Sequence, residues 1–553
     1  MNVELPIRKA PRYTVRLFFI LLLLLGGVVF RHYGVSWDEP TDRMNGLVSL
    51  RFVCELAAPQ WAAKKALLQQ APLLRGYKDN DHGVLFELPL ALYDVVRPGN
   101  DPRDYYLVRH LTVYLTSLVG IWALFRLATL RFRDERLGLL AAGLLVLSPR
   151  FFAESFYNGK DIPFVALFTL GIYTLVWLLD RPSWQRAVVH GLVTAAATDI
   201  RILGLLLGPF TFTLLVLQFV SSPSSFGRRA LWHVGLAYLL ALAAGVVAGW
   251  PYLWEHTLEH LADAFTSLSH FEKRWNGELL YWGQIIRAAD VPWHYALVWI
   301  TITTPVAYQL AGLLGLGVVT VELLRRPWPR LRTVEGRLDL LIVGWLVLPL
   351  AAVIGLHSSI YDGWRHLYFI YPALLLLAIR GGLAVAHLGR RGAGWRRLAL
   401  GLGLLAGAEA LLTVGRMVYM HPHQQTYFSY LPRQRVARLF ERDYWGVSYR
   451  QGLEYLVARH PTGPIYVEPA GEMPFENNKI WVAESDRERV LRGPDMPGRY
   501  FIVAYRGVLS YPSSVGTEVY TLRADGVPIL SIFKRGTDPV LPKPPTPSAS
   551  ENW

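Results

Sequence analysis

Leu17 to Pro40 read LFFILLLLLGGVVFRHYGVSWDEP, an uncharged apolar run followed directly by an acidic loop. A helix needs about 20 apolar residues to cross the hydrocarbon core of a bilayer, and the run from Leu17 to Phe30 is shorter than this. The end of the run, Gly26-Gly27-Val28-Val29-Phe30-Arg31, offers no small-x-small cleavage site of the kind that ends a signal peptide. The stretch therefore predicts a retained membrane anchor with carboxylates at its end.

The composition of the whole chain agrees with a membrane protein. Of its 553 residues, 52% are hydrophobic and 18% are charged, whereas soluble proteins carry roughly 25% charged residues. The mean hydropathy is +0.27. The net charge of +14 reflects arginine and lysine residues that mark the cytoplasmic connections of a membrane protein, so a nucleic-acid partner is not expected. Cys54 is the single cysteine, which excludes an internal disulfide framework and a Cys-rich metal or iron–sulfur site.

Hydropathy predicts a multispan α-helical membrane protein with about eleven transmembrane helices. Some candidate segments are too short to cross unaided. The segments lie at 17–30, 107–127, 138–148, 163–179, 187–198, 202–220, 231–250, 297–323, 340–356, 366–386 and 398–416.

Arginine and lysine collect in alternate connections between these segments. Such residues resist translocation, so they mark the cytoplasmic side. They are Arg8, Lys9, Arg12 and Arg16, then Arg131, Arg133 and Arg136, Arg181 and Arg186, Arg228 and Arg229, Arg325, Arg326, Arg330 and Arg332, and Arg390, Arg391, Arg396 and Arg397. The pattern predicts a cytoplasmic N-terminus and, in a bacterium, a protein of the inner (plasma) membrane.

The predicted organisation has three parts. Residues 1–417 form the membrane domain, with outer loops 31–106 and 251–296. Residues 420–536 form a small extracytoplasmic α/β domain, with a helical stretch at Val436–Arg459 and β-rich runs at 464–467, 499–505, 519–522 and 529–533. Residues 537–553 are rich in Pro and Ser and are predicted to be disordered.

Charged residues cluster in the predicted outer loops, at the membrane surface, where they are costly and therefore informative. The first cluster, Asp38-Glu39-Pro40, either carries function or simply starts a helix, with Asp38 or Thr41 as its N-cap. The second is the loop 148–163, where Phe151, Phe152 and Phe156 are interpreted as interfacial anchors. An anchor role does not explain Asp161, so we expect that residue to be functional.

Two more clusters and one motif leave alternatives open. Asp199 and Arg201 are interpreted as a structural ion pair where a helix breaks. Arg365 and His366 either meet an anion or belong to a cation belt at the membrane edge. The motif His256-Thr257-Leu258-Glu259-His260 fits an inverted zinc-protease pattern, but no third ligand is evident. The chain contains no P-loop motif, so an ATP-driven pump is not indicated.

The order of these outer loops resembles that of the GT-C glycosyltransferases, in particular family 39, which includes protein O-mannosyltransferases and the lipid A aminoarabinose transferase. The matching elements run through most of residues 15–430. They are Trp37-Asp38-Glu39-Pro40, Asp81 to Pro89, Ser148-Pro149, Lys160-Asp161-Ile162-Pro163, Pro292-Trp293-His294-Tyr295, Thr304-Pro305, Trp364-Arg365-His366, Tyr371-Pro372-Ala373-Leu374 and His421 to Phe428. Asp81-His82-Gly83 stands where relatives more often have His-Pro-Pro.

The resemblance implies an inverting transfer of a sugar from a polyprenyl-phosphate donor to an acceptor lipid, glycan or protein at the outer face. Asp38 would be the general base, and Asp161 and Glu39 would belong to the same catalytic site. Lys160, Arg365 and His366 are the candidates for binding the donor phosphate, and His82, Glu87, Glu154, Tyr157 and Tyr361 for contacting substrate. No cofactor or metal ligand is assigned, and a requirement for a divalent metal is left open.

The chemistry agrees with these residues. A polyprenyl phosphate leaves as a stable anion, so the reaction needs one carboxylate to accept a proton and fixed cations to stabilise the leaving group. A raised pKa in a partly dry cleft would make the carboxylates better bases. The alternative from another class is a secondary transporter or lipid flippase that uses intramembrane acids.

Overall fold

The computed structural model describes residues 7–97, 99, 101–221, 227–269, 277–493, 499–506 and 515–535. The predicted disordered tail, 537–553, lies outside the described residues. The helices up to the second outer segment are α1 (Arg12–Val29), α2 (Glu39–Ala57), α3 (Pro59–Ala62), α4 (Ala66–Gln70), α5 (Glu87–Val96), α6 (Pro102–Phe132), α7 (Glu135–Val146), α8 (Pro149–Tyr157), α9 (Asp161–Asp180), α10 (Trp184–Thr198), α11 (Leu207–Ser221), α12 (Arg228–Gly249) and α13 (Thr257–Ser269).

The rest of the chain adds a short hairpin, further helices and a sheet. The hairpin is β1 (Glu278–Tyr281) and β2 (Gln284–Arg287). The helices are α14 (Tyr295–Thr303), α15 (Val306–Arg325), α16 (Pro327–Leu331), α17 (Val334–Gly355), α18 (Tyr371–Leu388), α19 (Ala393–Met420), α20 (Arg433–Leu439), α21 (Tyr449–Arg459), α22 (Glu472–Lys479) and α23 (Glu484–Arg487). The sheet comprises β3 (Ile465–Pro469), β4 (Val490–Arg492), β5 (Tyr500–Ala504), β6 (Thr517–Ala524) and β7 (Val527–Lys534).

The prediction of a multispan helical membrane fold with a small C-terminal α/β part is confirmed. Among the described residues, nine helical stretches are long and apolar enough to cross a bilayer, and α7 with α8 would add a tenth. The axes of that pair meet at 71°, at the point where Pro149 begins α8 and cannot continue the hydrogen bonding of α7. Ten of the eleven predicted segments each follow one helical stretch, whereas 297–323 is divided between α14 and α15 at Thr304-Pro305; α7 and α10 are too short to span by themselves.

The basic N-terminal segment and the basic connections after α6 and α15 meet at one end of the helix bundle. The backbone N–H of Arg8 donates to the carbonyl of Arg133 at 2.8 Å, which joins the N-terminal segment to the end of α6. Arg131 forms a two-fold ion pair with Asp339 in α17, with N–O distances of 2.6 and 2.8 Å. The acidic loops lie at the opposite ends of the same helices, as the alternation of charges predicts.

The interpretation of the phenylalanines in loop 148–163 as interfacial anchors is wrong. Phe151, Phe152 and Phe156 are buried inside the protein. Phe156 is stacked between Tyr33, at a ring distance of 4.6 Å, and Tyr114, at 4.7 Å. Because α8 bends back across the bundle, its aromatic face packs on α6 and the segment after α1 instead of facing lipid.

The C-terminal sheet has the strand order β4-β3-β5-β7-β6. β3 pairs in parallel with β4 and β5, whereas β7 pairs antiparallel with β5 and β6. The hairpin between β6 and β7 turns at Asp525 and Gly526, both in the left-handed region that a two-residue hairpin turn requires. The helical stretch predicted at 436–459 is two helices, α20 and α21, because residues 440–448 fold as a buried loop.

The C-terminal part of the chain forms hydrogen bonds with the segment that leads from α1 to α2. The Asn478 side chain in α22 accepts a hydrogen bond from the backbone N–H of Val35 and donates one to its carbonyl, both at 2.9 Å. The N–H of Trp37 donates to the carbonyl of Trp445 at 3.0 Å. Two remote parts of the chain therefore fix the backbone immediately before Asp38.

Candidate active site

Asp38 directly precedes α2, where Pro40 occupies the first turn. Asp38 stands at the N-cap position, as the helix-start interpretation predicts, but its side chain makes no capping hydrogen bond, so capping does not account for the carboxylate. The carboxylate instead accepts a hydrogen bond from Nη1 of Arg365, at 2.9 Å from Oδ2. With 36% of its side chain exposed, Asp38 is the most accessible carboxylate of this site.

Asp161 begins α9, where the helix dipole favours a negative charge. Asn158 holds it from both sides: the amide oxygen accepts from the Asp161 N–H at 2.9 Å, and the amide nitrogen donates to Oδ2 at 3.0 Å. The side chain is 2% exposed. The turn 158–161 therefore presents this carboxylate in one fixed orientation.

Arg365 joins the two aspartates, although they come from different outer loops. Its Nη1 lies 2.9 Å from Asp38 and 3.4 Å from Asp161, and its Nη2 lies 3.2 Å from Asp362. The guanidinium is buried and packs on the ring of Trp445 at 4.7 Å. A planar guanidinium with five donors can serve several carboxylates at once, which a lysine cannot do.

Two further cations lie on the accessible side of this cluster. Arg201 forms an ion pair with Oδ1 of Asp161 and keeps 16% of its side chain exposed. The Nζ of Lys160 lies 3.3 Å from Asp42, with 23% exposed. Both are more accessible than Arg365, so a bound anion can contact them without entering the interior.

The predicted ion pair between Asp199 and Arg201 is wrong. α10 ends at Thr198, and a 3₁₀ turn over Ile202–Leu206 redirects the chain. The two side chains therefore diverge: Asp199 lies against Gly249 in α12, while Arg201 reaches Asp161. Arg201 was not predicted as a site residue, because Asp199 two positions earlier offers it a local partner in the sequence.

Behind the site lies a fully buried arginine, Arg109 of α6. It forms an ion pair with Glu87 and lies 3.1 Å from Asp42 and 3.4 Å from Glu39. Glu39 also lies 3.1 Å from Nε2 of His110. Glu39 and Glu87 therefore face this inner network, one layer behind Asp38, although they were predicted to be catalytic and substrate-binding residues.

We expect Arg109→Gln to destabilise the protein by about 3 to 5 kcal/mol, because it leaves buried carboxylates without their cation. Thermal unfolding of the purified protein in detergent measures the effect. Arg181→Gln is the matched control, since Arg181 is exposed at the basic end of the bundle. An Arg109→Gln variant as stable as Arg181→Gln would contradict this prediction.

The other predicted residues are either buried or partly exposed. Glu154 is buried and accepts hydrogen bonds from Tyr368 at 2.9 Å and Tyr444 at 3.2 Å. Tyr157 is buried as well, against Trp445. Tyr361 and His366 are partly exposed beside Arg365, with their rings 4.7 Å apart, and Nδ1 of His82 lies 3.2 Å from Asp81. Of these, Tyr361, His366 and His82 can reach a ligand without rearrangement.

The pKa of Asp38 does not behave as expected from burial. Burial alone would raise it, but the positive charges of Arg365 and Lys160 outweigh burial and hold the pKa below its ordinary value. The raised pKa that would make Asp38 a better base is therefore not found. The carboxylate is ionised at neutral pH and can accept a proton.

The described residues contain no group of three or more His, Cys, Asp or Glu side chains that could hold a metal ion. The carboxylates of the candidate site form ion pairs with arginine and lysine side chains. His256 and Glu259 of the protease-like motif are largely exposed, and His260 stacks on Tyr252 at 3.9 Å. The geometry gives the zinc-protease interpretation no support.

Comparisons with known proteins agree with the resemblance seen in the outer loops. A family model described as dolichyl-phosphate-mannose-protein mannosyltransferase matches residues 107–250, which include Lys160, Asp161 and Arg201. The resemblance to GT-C glycosyltransferases is thereby confirmed for this segment. No curated protein sequence matches the chain significantly.

Three solved structures are similar at low sequence identity. ArnT from Cupriavidus metallidurans bound to undecaprenyl phosphate has 12% identity, 95% of this chain and 98% of that chain covered, and a TM-score of 0.49. Its apo state has 12% identity, 94% and 98% coverage, and a TM-score of 0.47. The archaeal oligosaccharyltransferase AglB from Archaeoglobus fulgidus, in complex with an inhibitory peptide and a dolichol-phosphate, has 10% identity, 89% and 69% coverage, and a TM-score of 0.44.

Proposed function

We propose that this protein is an inverting glycosyltransferase that moves a sugar from a polyprenyl-phosphate donor to an acceptor on the extracytoplasmic face of a bacterial inner membrane. The observation that carries the proposal is the meeting of Asp38 and Asp161 on one nitrogen of Arg365. The family model that matches residues 107–250 describes transferases whose donor is a sugar on a lipid phosphate.

The proposed reaction is a single displacement at the anomeric carbon of the sugar. The acceptor hydroxyl oxygen forms the new bond to this carbon while the bond to the phosphate oxygen breaks. Asp38 takes the hydroxyl proton, since it is ionised and accessible. The bond electrons leave with the polyprenyl phosphate, so no strong general acid is needed. Asp161 assists by fixing Arg365 and Arg201.

The cations have two roles in this reaction. Lys160, Arg201 and Arg365 are placed to bind the donor phosphate and to stabilise the charge that grows on it as it leaves. A bound phosphate also competes with Asp38 for Arg365 and Lys160. Because those two charges hold the pKa of Asp38 down, donor binding would raise that pKa and make the carboxylate a stronger base.

The position of the site suits a lipid-linked donor. Asp161 begins the span α9, and Arg365 lies at the start of the helical stretch that contains α18. The cluster is therefore at the ends of spans, at the level where a lipid phosphate would lie. A polyprenyl chain could then pack between spans while its sugar phosphate reaches the carboxylates.

The alternative of a secondary transporter or flippase requires acids that bind ions within the membrane. Glu409 is an acid inside the span α19. Both of its oxygens accept hydrogen bonds at 2.6 Å from the N–H groups of Val306 and Ala307, which begin α15. Glu409 thus caps a helix, and this role accounts for its place in the membrane.

The function is tested by incubating purified protein in vesicles with a panel of labelled polyprenyl-phosphate sugars and candidate acceptors. Release of polyprenyl phosphate together with transfer of the sugar supports the proposal, and inversion at the anomeric carbon supports a single displacement. Movement of intact donor across the bilayer without cleavage would favour the flippase instead.

Lys160→Gln and Arg201→Gln are each expected to weaken polyprenyl phosphate binding about tenfold, because each removes one accessible charge from the phosphate site. Titration of detergent-solubilised protein with polyprenyl phosphate measures the dissociation constants, and added salt should reduce the difference. Arg181→Gln removes the same charge at the other end of the bundle and should leave binding unchanged. Unaltered affinity in both site variants would exclude these two residues from the phosphate site.

A further inference from the structure

Arg506, in the C-terminal part of the chain, contacts residues of the candidate site. Arg506 follows β5 and the adjacent residue Tyr505. Its Nη2 donates to Oδ1 of Asp362 at 3.0 Å, and its guanidinium lies 4.9 Å from the centre of the Trp37 ring. The side chain is 20% exposed. One residue next to the C-terminal sheet therefore touches two of the three outer loops that carry the site.

Asp362 is the third carboxylate on Arg365, and two guanidinium groups hold it. Arg365 binds its Oδ2 at 3.2 Å from the membrane part, and Arg506 binds its Oδ1 at 3.0 Å from the C-terminal part. The carboxylate is 6% exposed, so it depends on these two partners instead of water. Loss of Arg506 would leave half of this buried carboxylate without a charged donor.

The backbone at Asp362 is also strained. Its φ is 55°, in the left-handed region that a non-glycine residue adopts at a cost of about 1 kcal/mol. Such a conformation persists where surrounding contacts enforce it. The ion pairs to Arg365 and Arg506 are contacts of this kind, so the turn that aims Arg365 is held partly from the C-terminal sheet.

The second contact, with Trp37, acts on Asp38. Trp37 is the residue before Asp38, and its N–H is bound to the carbonyl of Trp445. Arg506 packs on the ring of the same residue. Backbone and side chain of Trp37 are thus both held by the C-terminal part, which restricts the position of the proposed base.

We propose that Arg506 is a positioning residue for the transfer reaction, through which the C-terminal part completes the donor phosphate site by fixing Asp362 and Trp37. This inference rests on the proposed function. It gives the C-terminal part a role in donor binding that acts through Asp362 and Trp37, and it makes the geometry of Arg365 and Asp38 depend on the docking of that part.

A double-mutant cycle tests the route through Asp362, with Arg506→Gln, Asp362→Asn and the double variant. The readouts are the dissociation constant for polyprenyl phosphate and, with a labelled donor, kcat and KM separately. Arg506→Gln is expected to weaken binding about tenfold in the native background and less than about twofold in the Asp362→Asn background. Arg506→Lys should restore part of the loss, since it keeps the charge but not the fork.

The matched control is Arg492→Gln in β4, because Arg492 is exposed and pairs with Glu472 within the C-terminal part. It should bind polyprenyl phosphate like the native protein. Equal losses for Arg506→Gln in both backgrounds, together with a lower Tm, would show a structural role and overturn the inference. Unchanged affinity in Arg506→Gln would also overturn it while leaving the proposed function intact. A native protein that neither binds polyprenyl phosphate nor transfers sugar would overturn both.

Discussion

Replacing Asp38 by Asn is expected to lower kcat about a thousandfold, while the protein still folds and still binds polyprenyl phosphate. The amide keeps an oxygen that can accept the hydrogen bond from Arg365, which lies 2.9 Å from the carboxylate. It cannot accept the proton of the acceptor hydroxyl. Single-turnover release of polyprenyl phosphate from a labelled donor isolates this chemical step from binding.

Donor affinity provides an internal control for that variant. Asp38→Asn removes a negative charge beside the cations proposed to bind phosphate, so binding of polyprenyl phosphate should be unchanged or tighter. Glu39→Gln is the neighbouring comparison. Because Glu39 faces Arg109 and His110, its replacement should lower stability more than kcat. Full turnover by a folded Asp38→Asn variant would exclude Asp38 as the base.

Replacing Arg365 by Lys is expected to reduce kcat/KM for the donor about a hundredfold. One guanidinium binds Asp38, Asp161 and Asp362, and an ammonium group cannot repeat this planar arrangement. Asp38 and Asp161 would then separate, and the leaving phosphate would lose a fixed donor. Steady-state kinetics at varied donor concentration measure the loss, with Tm recorded to confirm folding.

Arg150→Lys is the matched control for Arg365→Lys. Arg150 is also buried and also packs on aromatic rings, at 5.2 Å from Trp299 and 5.0 Å from Phe428. Its Nε donates to the carbonyl of Tyr427, not to an aspartate of the site. If both variants lower kcat/KM for the donor by the same factor, the effect of Arg365→Lys is a general loss of packing. The assignment of Arg365 to the active site is then wrong.

The spans could be predicted because hydropathy is a local property of the chain. Each predicted segment except 297–323, which is divided between α14 and α15, follows one helical stretch. The basic residues Arg8, Arg131 and Arg330 lie at the same end of these helices. Burial among neighbours is not local. Phe156 and Arg109 occur in segments that could face lipid or water, and only the packing of α6 and α8 buries them.

The candidate site was predicted in part for the same reason. Asp38, Asp161 and Arg365 are each charged residues next to a predicted span, and this position identifies them in the sequence. Which of two adjacent acids faces the site depends on how α2 is rotated, and this distinguishes Asp38 from Glu39. Arg201 and Arg506 reach the site through tertiary contacts across 40 and 144 positions, for which the sequence carries no local signal.

The most direct measurement is an experimental structure of the protein in nanodiscs with added polyprenyl phosphate. The account predicts a phosphate in contact with Lys160, Arg201 and Arg365, with Asp38 facing the position of the sugar and the prenyl chain between spans. A phosphate bound away from these cations, or Asp38 and Asp161 too far apart to touch one sugar, would contradict the account.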